Sequence, residues 1–187
     1  ITEDRASGAQ FIDGSLKIDN NKSQYLQRTF STGNQKTYTF SVWLKRGFDF
    51  ANFQAILTTL SSDGTSNTGA WISTADEWYY FFGGSNFYSN AKVRDTGWYH
   101  VVYRLDTTIA SPDSDRLRVY VNGNLMSWNT STSQAYPTLN ETDLLNSAAS
   151  HSIGRRDSSN QHHFDGSMSQ FYFIDGQSLG PEEFGYT

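Results

Sequence analysis

The stretch Trp98-Tyr-His-Val-Val-Tyr-Arg-Leu105 decides the fold class of this chain. Its odd-numbered residues, from Tyr99 to Leu105, are all aromatic or aliphatic, whereas the even-numbered ones include His100 and Arg104. A period of two is typical of a β-strand that has one face toward a core and one wetter face. We therefore predict a half-buried strand here.

The neighbouring segments extend the same pattern. Leu117–Val121 also alternates, and Asn122-Gly123 follows it directly before the apolar pair Leu125-Met126. Asn-Gly tolerates the two positive φ angles of a type I′ turn, so this stretch predicts a β-hairpin. Upstream, residues 38–45 alternate in the same way, and only Trp43 interrupts their polar face.

The remaining segments predict loops, one last strand and a single helical turn. Residues 106–115 are polar and predict a loop, and residues 129–150 predict an irregular segment that wraps the outside. Residues 164–174 predict a long final strand that ends in the turn Asp175-Gly176. Residues 178–185 place Pro, two acids and a final Gly as one helical turn requires. We predict an all-β, two-sheet antiparallel sandwich (jelly roll) with one short C-terminal helical turn.

Composition narrows the classes of function. The 187 residues suit one domain spanning 1–187, which we expect to be a module of a longer protein. A net charge of -5 without a basic cluster argues against nucleic acid as a partner. No apolar run approaches the ~20 residues that a membrane span needs, so we predict no membrane insertion. The absence of Cys excludes disulfides and thiolate metal sites and favours a bacterial or viral source.

Six segments in chain order share the motifs of one family. They are residues 14–18 with 25–26, 40–45, 97–102, 118–123, 152–154 with 164–168, and 178–179. Together they resemble the concanavalin A-like lectin/glucanase superfamily, in particular its laminin-G-like and pentraxin-like jelly rolls. The resemblance covers nearly the whole chain and implies a lectin-type β-sandwich.

Three further segments, residues 8–16, 23–29 and 173–179, resemble modules in structural proteins of tailed bacteriophages, particularly marine ones. This resemblance implies a tail fibre, neck appendage or capsid-decoration component on the virion exterior. Its partners would be other virion proteins, further copies of itself and host-surface glycans. The alternative is a carbohydrate-binding lectin module of a bacterial surface or secreted protein, located outside the cell or on its surface.

Catalysis is the third alternative, because the superfamily includes glucanases. Retaining members need two carboxylates about 5 Å apart, which they carry on one strand as Glu-x-Asp-x-x-Glu or a close variant. None of the five glutamates lies in such a pattern: Glu3, Glu77, Glu141, Glu182 and Glu183. We therefore predict that the chain is not an enzyme, and a polysaccharide-degrading activity is disfavoured.

A Ca²⁺ ion is the one cofactor that the family resemblance suggests. Relatives hold it with Asp, Asn and backbone oxygens, which a hard cation prefers. Asp165 matches the family's closing motif, and Asp13 or Asp19 could approach it if the first and last strands pair. The favoured alternative is that Asp13, Asp165 and Asp175 are turn residues beside Gly. His162-His163 is interpreted as a solvated loop pair, since neighbours in a strand point to opposite faces.

Aromatic side chains are the candidate ligand site. Trp71 and the run Glu77-Trp-Tyr-Tyr-Phe-Phe82 combine rings with polar groups, and sugars present C–H faces to rings and hydroxyls to polar groups. We single out Trp71, Trp78 and Tyr80, with Trp128 as a second candidate beside a polar loop. The alternative is that consecutive aromatics are split between two buried or half-buried faces of a strand.

Overall fold

The computed structural model describes residues 13–47, 51–61, 67–129, 135–156 and 161–185. These residues form strands β1 (Leu16–Ile18), β2 (Leu26–Thr29), β3 (Thr37–Arg46), β4 (Gln54–Leu60), β5 (Asn67–Ile72), β6 (Glu77–Phe82), β7 (Ser85–Lys92), β8 (Trp98–Asp106), β9 (Leu117–Val121), β10 (Asn124–Leu125), β11 (Ser150–Ile153) and β12 (Gly166–Asp175). Short 3-10 turns span Asn20–Lys22, Asp113–Asp115 and Pro181–Phe184. In this described part of the chain no helix is long and apolar enough to cross a membrane.

The strands form two six-stranded antiparallel sheets. Sheet 1 has the order β1-β12-β3-β8-β9-β10, and sheet 2 has the order β2-β11-β4-β5-β6-β7. The predicted two-sheet sandwich is therefore confirmed. The first and last strands pair, with Leu16 opposite Met168. The opening motifs at residues 14–18 and 25–26 lie in strands of different sheets rather than in one strand pair.

Alternate residues of each sheet meet in one core. From β3 and β8 these include Phe40, Val101 and Tyr103, all at most 1% exposed, and the Phe40 and Tyr103 rings stack at 4.9 Å. Trp78 and Tyr80 of β6 enter the same core from sheet 2. Burial of aromatic area on this scale is the dominant stabilising contribution to such a sandwich.

The outer face of sheet 1 departs from the prediction. His100 and Val102, predicted on a wetter face, are at most 1% exposed. The cause is the C-terminal segment, which folds across this face. The Leu179 N–H donates to Thr39 Oγ1 at 2.8 Å, and the Phe184 ring lies 6.3 Å from the His100 ring. A period of two marks two faces, but it does not say which face another segment will cover.

The predicted turns are confirmed. Asn122 and Gly123 have φ of 49° and 76°, the left-handed pair of a type I′ hairpin. The C-terminal turn Pro181–Phe184 is one 3-10 turn that ends at Gly185, whose φ is 82°. The final strand begins two residues later than the predicted range 164–174 and contains a bulge.

The segment predicted to wrap the outside, residues 129–150, enters the core instead. Its described part, 135–149, forms no strand, while residues 130–134 lie outside the described residues. Leu145 is fully buried, and Asp143 is 4% exposed. The Asp143 carboxylate accepts hydrogen bonds from the hydroxyls of Tyr38 and Tyr80. Polar composition predicted a surface loop, but buried hydrogen bonds allow its polar groups to lie inside.

Candidate functional site

The aromatic run of β6 is divided between the two faces of sheet 2. Trp78 and Tyr80 are fully buried and pack in the core between the sheets. Tyr79 and Phe81 lie in the alternate register and face outward with Glu77. The structure therefore contradicts the prediction that Trp78 and Tyr80 contact a ligand, because neither ring is accessible.

Trp128 is also a core residue rather than a ligand contact. It is 8% exposed, and its ring lies 5.4 Å from Phe87 in an edge-on arrangement. Its indole Nε1–H donates to the Leu117 carbonyl at 3.3 Å. Because both the ring and its one polar atom are engaged internally, this second candidate is wrong as well.

Trp71 lies where the prediction requires a ligand residue, on the outer face of sheet 2. It is opposite Tyr79 across β5 and β6, with ring centroids 5.3 Å apart. Tyr79 stacks on Tyr88 of β7 at 4.6 Å, and its hydroxyl donates to Asn86 Oδ1 at 2.7 Å. The Phe53 ring lies 5.8 Å from Tyr79. The outer face of this sheet thus carries its own aromatic cluster, separate from the main core.

A cleft of about 260 Å³ opens on this cluster. We call it the aromatic cleft, and it is lined by Phe53, Asn67, Trp71, Tyr79, Phe81, Arg156 and His162. Trp71 and Tyr79 are nearly buried, whereas Phe53 and Phe81 are partly exposed. Aromatic walls with a few polar groups are typical of small-molecule sites.

The charge of the aromatic cleft comes from Arg156. Burial raises the pKa of Tyr79 well above its ordinary value, so its hydroxyl is neutral. Burial, and then the nearby Arg156 charge, lower the pKa of His162, so its imidazole is neutral at pH 7. None of the lining residues that the structure describes is acidic. The cleft is therefore apolar on its walls and carries a positive group.

A second cavity of about 460 Å³ adjoins the aromatic cleft. We call it the polar pocket; it shares Asn67 and Phe81 with the aromatic cleft and is also bounded by the Gly83-Gly84 turn. These glycines have φ of 53° and 85°, which a type I′ hairpin between β6 and β7 requires. The two cavities are therefore neighbours that share part of their walls.

Trp71 lies on the outer face of sheet 2, whereas the residues of β6 on that face are not the predicted Trp78 and Tyr80. The missed residues Tyr79 and Phe81 could have been found from Glu77, because an ionised side chain at a strand start marks the outward face. Two-residue alternation then carries Tyr79 and Phe81 to that face. Arg156 and His162 had no such signal, since they come from segments distant in sequence.

A serine and a histidine lie in the geometry of a nucleophile and its base. Ser41 Oγ is 2.8 Å from His100 Nε2 on the outer face of sheet 1. Both residues are 1% exposed beneath the C-terminal segment. No substrate can reach this pair in the folded domain.

The residues proposed for Ca²⁺ have other roles in the structure. Asp13 is exposed, and Asp165 Oδ1 lies 3.6 Å from Lys17 Nζ, which fits an ion pair rather than a Ca²⁺ ligand set. Asp19 Oδ1 accepts the Asn21 N–H at 3.0 Å and caps a 3-10 turn. The described ranges contain no group of three His, Asp or Glu side chains placed to hold a metal ion.

The contacts of Asp175 and of the His162-His163 pair also test predictions from the sequence. Asp175 Oδ1 accepts the Asn34 N–H at 2.8 Å at the end of β12, as a turn residue does. His162 and His163 were interpreted as a solvated pair, but both are partly buried, and the His162 ring packs edge-on against Phe53 at 5.5 Å. His162 is therefore part of the aromatic cleft.

The sandwich and its outward aromatic cluster define a lectin-like β-sandwich domain. A family model described as the concanavalin A-like lectin/glucanases superfamily matches residues 19–183. The chain belongs to this superfamily. The comparison with curated proteins gives no match.

Solved structures share the fold at low identity. The heptameric SAP-like pentraxin from Limulus polyphemus has a TM-score of 0.56 and 14% identity over 86% of this chain and 73% of its own. The CBM40 of the Ruminococcus gnavus IT-sialidase, bound to α2,3 sialyllactose, has a TM-score of 0.55 and 13% identity over 86% and 96%. Domains LG4-5 of the mouse laminin α1 chain have a TM-score of 0.60 and 12% identity over 95% and 46%. Identities this low establish the common fold alone.

Proposed function

We propose that this domain is a non-catalytic carbohydrate-binding module and that the aromatic cleft holds the sugar. The observation that carries this proposal is the outward aromatic cluster of Trp71, Tyr79, Phe53 and Phe81, with polar groups at its rim. Sugar rings stack their C–H faces on aromatic side chains, while amide and cationic groups bind their hydroxyls. The neighbouring polar pocket, which shares Asn67 and Phe81, offers room for a second sugar unit.

The fold relatives support this proposal without proving it for this chain. One is a carbohydrate-binding module seen with sialyllactose, and another is a heptameric pentraxin. They make a glycan ligand and self-association reasonable expectations here. The non-catalytic part rests on the absence of a Glu-x-Asp-x-x-Glu pattern and on the inaccessibility of the Ser41–His100 pair.

The finer proposal is that the module is mounted on the exterior of a tailed-phage virion, as part of a tail fibre, neck appendage or capsid decoration. It rests on the phage-like segments 8–16, 23–29 and 173–179, of which residues 8–12 lie outside the described residues. Several copies on one particle would gain avidity for host glycans. The alternative is a lectin module of a bacterial surface or secreted protein, which would use the same cleft.

The sugar-binding proposal is tested with Phe81→Ala in a glycan array followed by titration calorimetry. Loss of one stacking ring should weaken binding about tenfold, equivalent to ~1.4 kcal/mol. Tyr172→Ala is the matched control, because Tyr172 is an aromatic residue 48% exposed on the other sheet. Unchanged binding in both Phe81→Ala and Phe53→Ala would move the site elsewhere.

The location is tested by labelling virions that carry this chain with an antibody against the domain. Label on intact particles is the expected result. Label on the bacterial surface, with none on virions, would favour the bacterial lectin instead.

A further inference from the structure

Arg156 holds an unusual position among the arginines of this protein. It follows β11 in an isolated antiparallel bridge, where its N–H donates to the Gln161 carbonyl at 3.1 Å. Its side chain lines the aromatic cleft with Trp71 and Phe81. The backbone contact holds the base of this side chain in place beside the aromatic rings.

The guanidinium of Arg156 has no carboxylate partner among the described residues. Its Nε is buried and has no hydrogen-bond partner among the described residues, and it forms no ion pair with a described carboxylate. By contrast, Arg46 and Arg118 each pair with an aspartate. Arg116 donates to three backbone carbonyls at 2.8 to 2.9 Å. Because the Arg156 side chain lines the cleft and has no described carboxylate partner, its charge is available to an anionic group of a ligand.

The charge of Arg156 extends into the cleft. Although burial raises the pKa of Tyr79, the Arg156 charge opposes that rise, and the same charge helps to lower the pKa of His162. Among the described residues, no carboxylate lines the cleft to neutralise this charge. Glu77 lies on the same face of the sheet, but it is opposite Lys92 in register and accepts a hydrogen bond from a serine.

We propose that the aromatic cleft selects an acidic sugar, whose carboxylate or sulfate is bound by the Arg156 guanidinium while its ring contacts Phe81. This inference rests on the proposed function and names the class of sugar. A guanidinium binds a carboxylate or sulfate through charge-assisted hydrogen bonds, often two in parallel. The partly exposed Phe81 and the nearly buried Trp71 supply the apolar surface beside that charge.

The test uses pairs of probes that differ only in the acid group. Three pairs are suitable: α2,3-sialyllactose and lactose, oligogalacturonate and its methyl ester, and galactose 6-sulfate and galactose. Titration at pH 7.5 keeps His162 neutral, so that Arg156 is the charged group tested. The acidic member of at least one pair should bind about tenfold tighter or more, because its charge-assisted hydrogen bond to Arg156 is missing from the neutral member. Which pair shows the preference distinguishes a carboxylate from a sulfate ligand.

Two neighbouring variants separate the cleft from general electrostatics. Arg156→Gln should reduce the affinity for the acidic probe to that of its neutral partner. Arg155→Gln removes the same charge from the adjacent residue, whose guanidinium lies 3.6 Å over the Tyr25 ring and does not line the cleft. It should leave the preference unchanged. Thermal melting of both variants verifies that each remains folded.

Three outcomes would overturn the inference. Equal affinity for acidic and neutral probes, with binding lost in Phe81→Ala, would remove the acid preference and leave the sugar cleft standing. If Arg155→Gln and Arg156→Gln lower the affinity for the acidic probe equally, the preference arises from overall charge and not from a specific contact. Absence of binding to every probe at about 1 mM would count against both the acidic ligand and the sugar-binding proposal.

Discussion

The outer faces of the two sheets both carry aromatic residues, but one face is covered by another segment and the other is open. Sheet 1 carries Trp43 and His100 outside the main core, with their rings stacked at 4.9 Å, and the C-terminal segment lies across this face, where the Phe184 ring is 6.3 Å from the His100 ring. Sheet 2 carries Trp71 and Tyr79, which line an open cleft. An outward aromatic residue is therefore a ligand candidate only where no other segment of the chain is laid over it.

We expect the largest effect on the stability of the domain when Trp43 is substituted. Trp43→Ala removes a ring that is 8% exposed and stacks on His100, and it should lower the free energy of unfolding by about 3 to 5 kcal/mol. Glycan binding should persist in the folded fraction. Phe81→Ala, which removes a partly exposed ring from the open face, should lower the free energy of unfolding by only about 1 kcal/mol and should weaken glycan binding about tenfold. Urea denaturation measures the free energy of unfolding of both variants. Equal losses of this free energy would contradict the proposed difference between the two faces.

A somewhat smaller effect is expected at the buried carboxylate behind the polar pocket. Asp143→Ala removes the carboxylate acceptor of the Tyr38 and Tyr80 hydroxyls, which keep only the hydrogen bond to each other, and should destabilise the domain by about 3 kcal/mol. Asp143→Asn keeps one oxygen acceptor and should cost less. Asp13→Ala, at an exposed aspartate, is the control and should be neutral within about 0.5 kcal/mol. A neutral Asp143→Ala would mean that the segment 135–149 does not anchor the core.

The covered face should also make stability depend on pH. Burial lowers the pKa of His100 to about 4, below its unfolded value near 6.5. The unfolded chain therefore binds more protons between these values, and stability falls as the pH drops through this window. From pH 7 to 4.5 the loss should be about 2 kcal/mol, derived from that pKa difference.

His100→Gln isolates this contribution. Burial raises the pKa of Asp143, which gives the opposite slope, but the difference between wild type and His100→Gln cancels that shared term. Wild type should lose more stability than the variant when both are acidified, as followed by urea denaturation at each pH. Parallel losses in wild type and variant would show that His100 is not shielded by the C-terminal segment.

Local signals explain what could be predicted from the sequence. The alternation of Tyr99 to Leu105 and the Asn122-Gly123 turn depend on neighbours in the chain, and both are confirmed. The outward face of β6 could be predicted from Glu77, but Trp78 and Tyr80 were predicted on the ligand-binding face. The strand pattern alone separates two faces. Whether each face is buried depends on segments that are distant in the sequence.

Long-range placement explains what could not be predicted. The cleft takes Phe53 from the residue before β4 and Arg156 and His162 from beyond β11, and no local pattern brings them together. The burial of Asp143 depends on two tyrosines more than sixty positions away along the chain. Such contacts depend on how sheets and loops pack, which strand periodicity does not encode.

The most direct test of the account uses the five tryptophans as reporters. Nitrogen-15 labelling of their indole N–H groups gives one NMR signal for each of Trp43, Trp71, Trp78, Trp98 and Trp128. Titration with the tightest-binding oligosaccharide should shift the Trp71 signal and leave those of Trp43, Trp78 and Trp128 in place. A shift of the Trp43 signal without one at Trp71 would contradict the claim that ligands bind at the aromatic cleft of sheet 2.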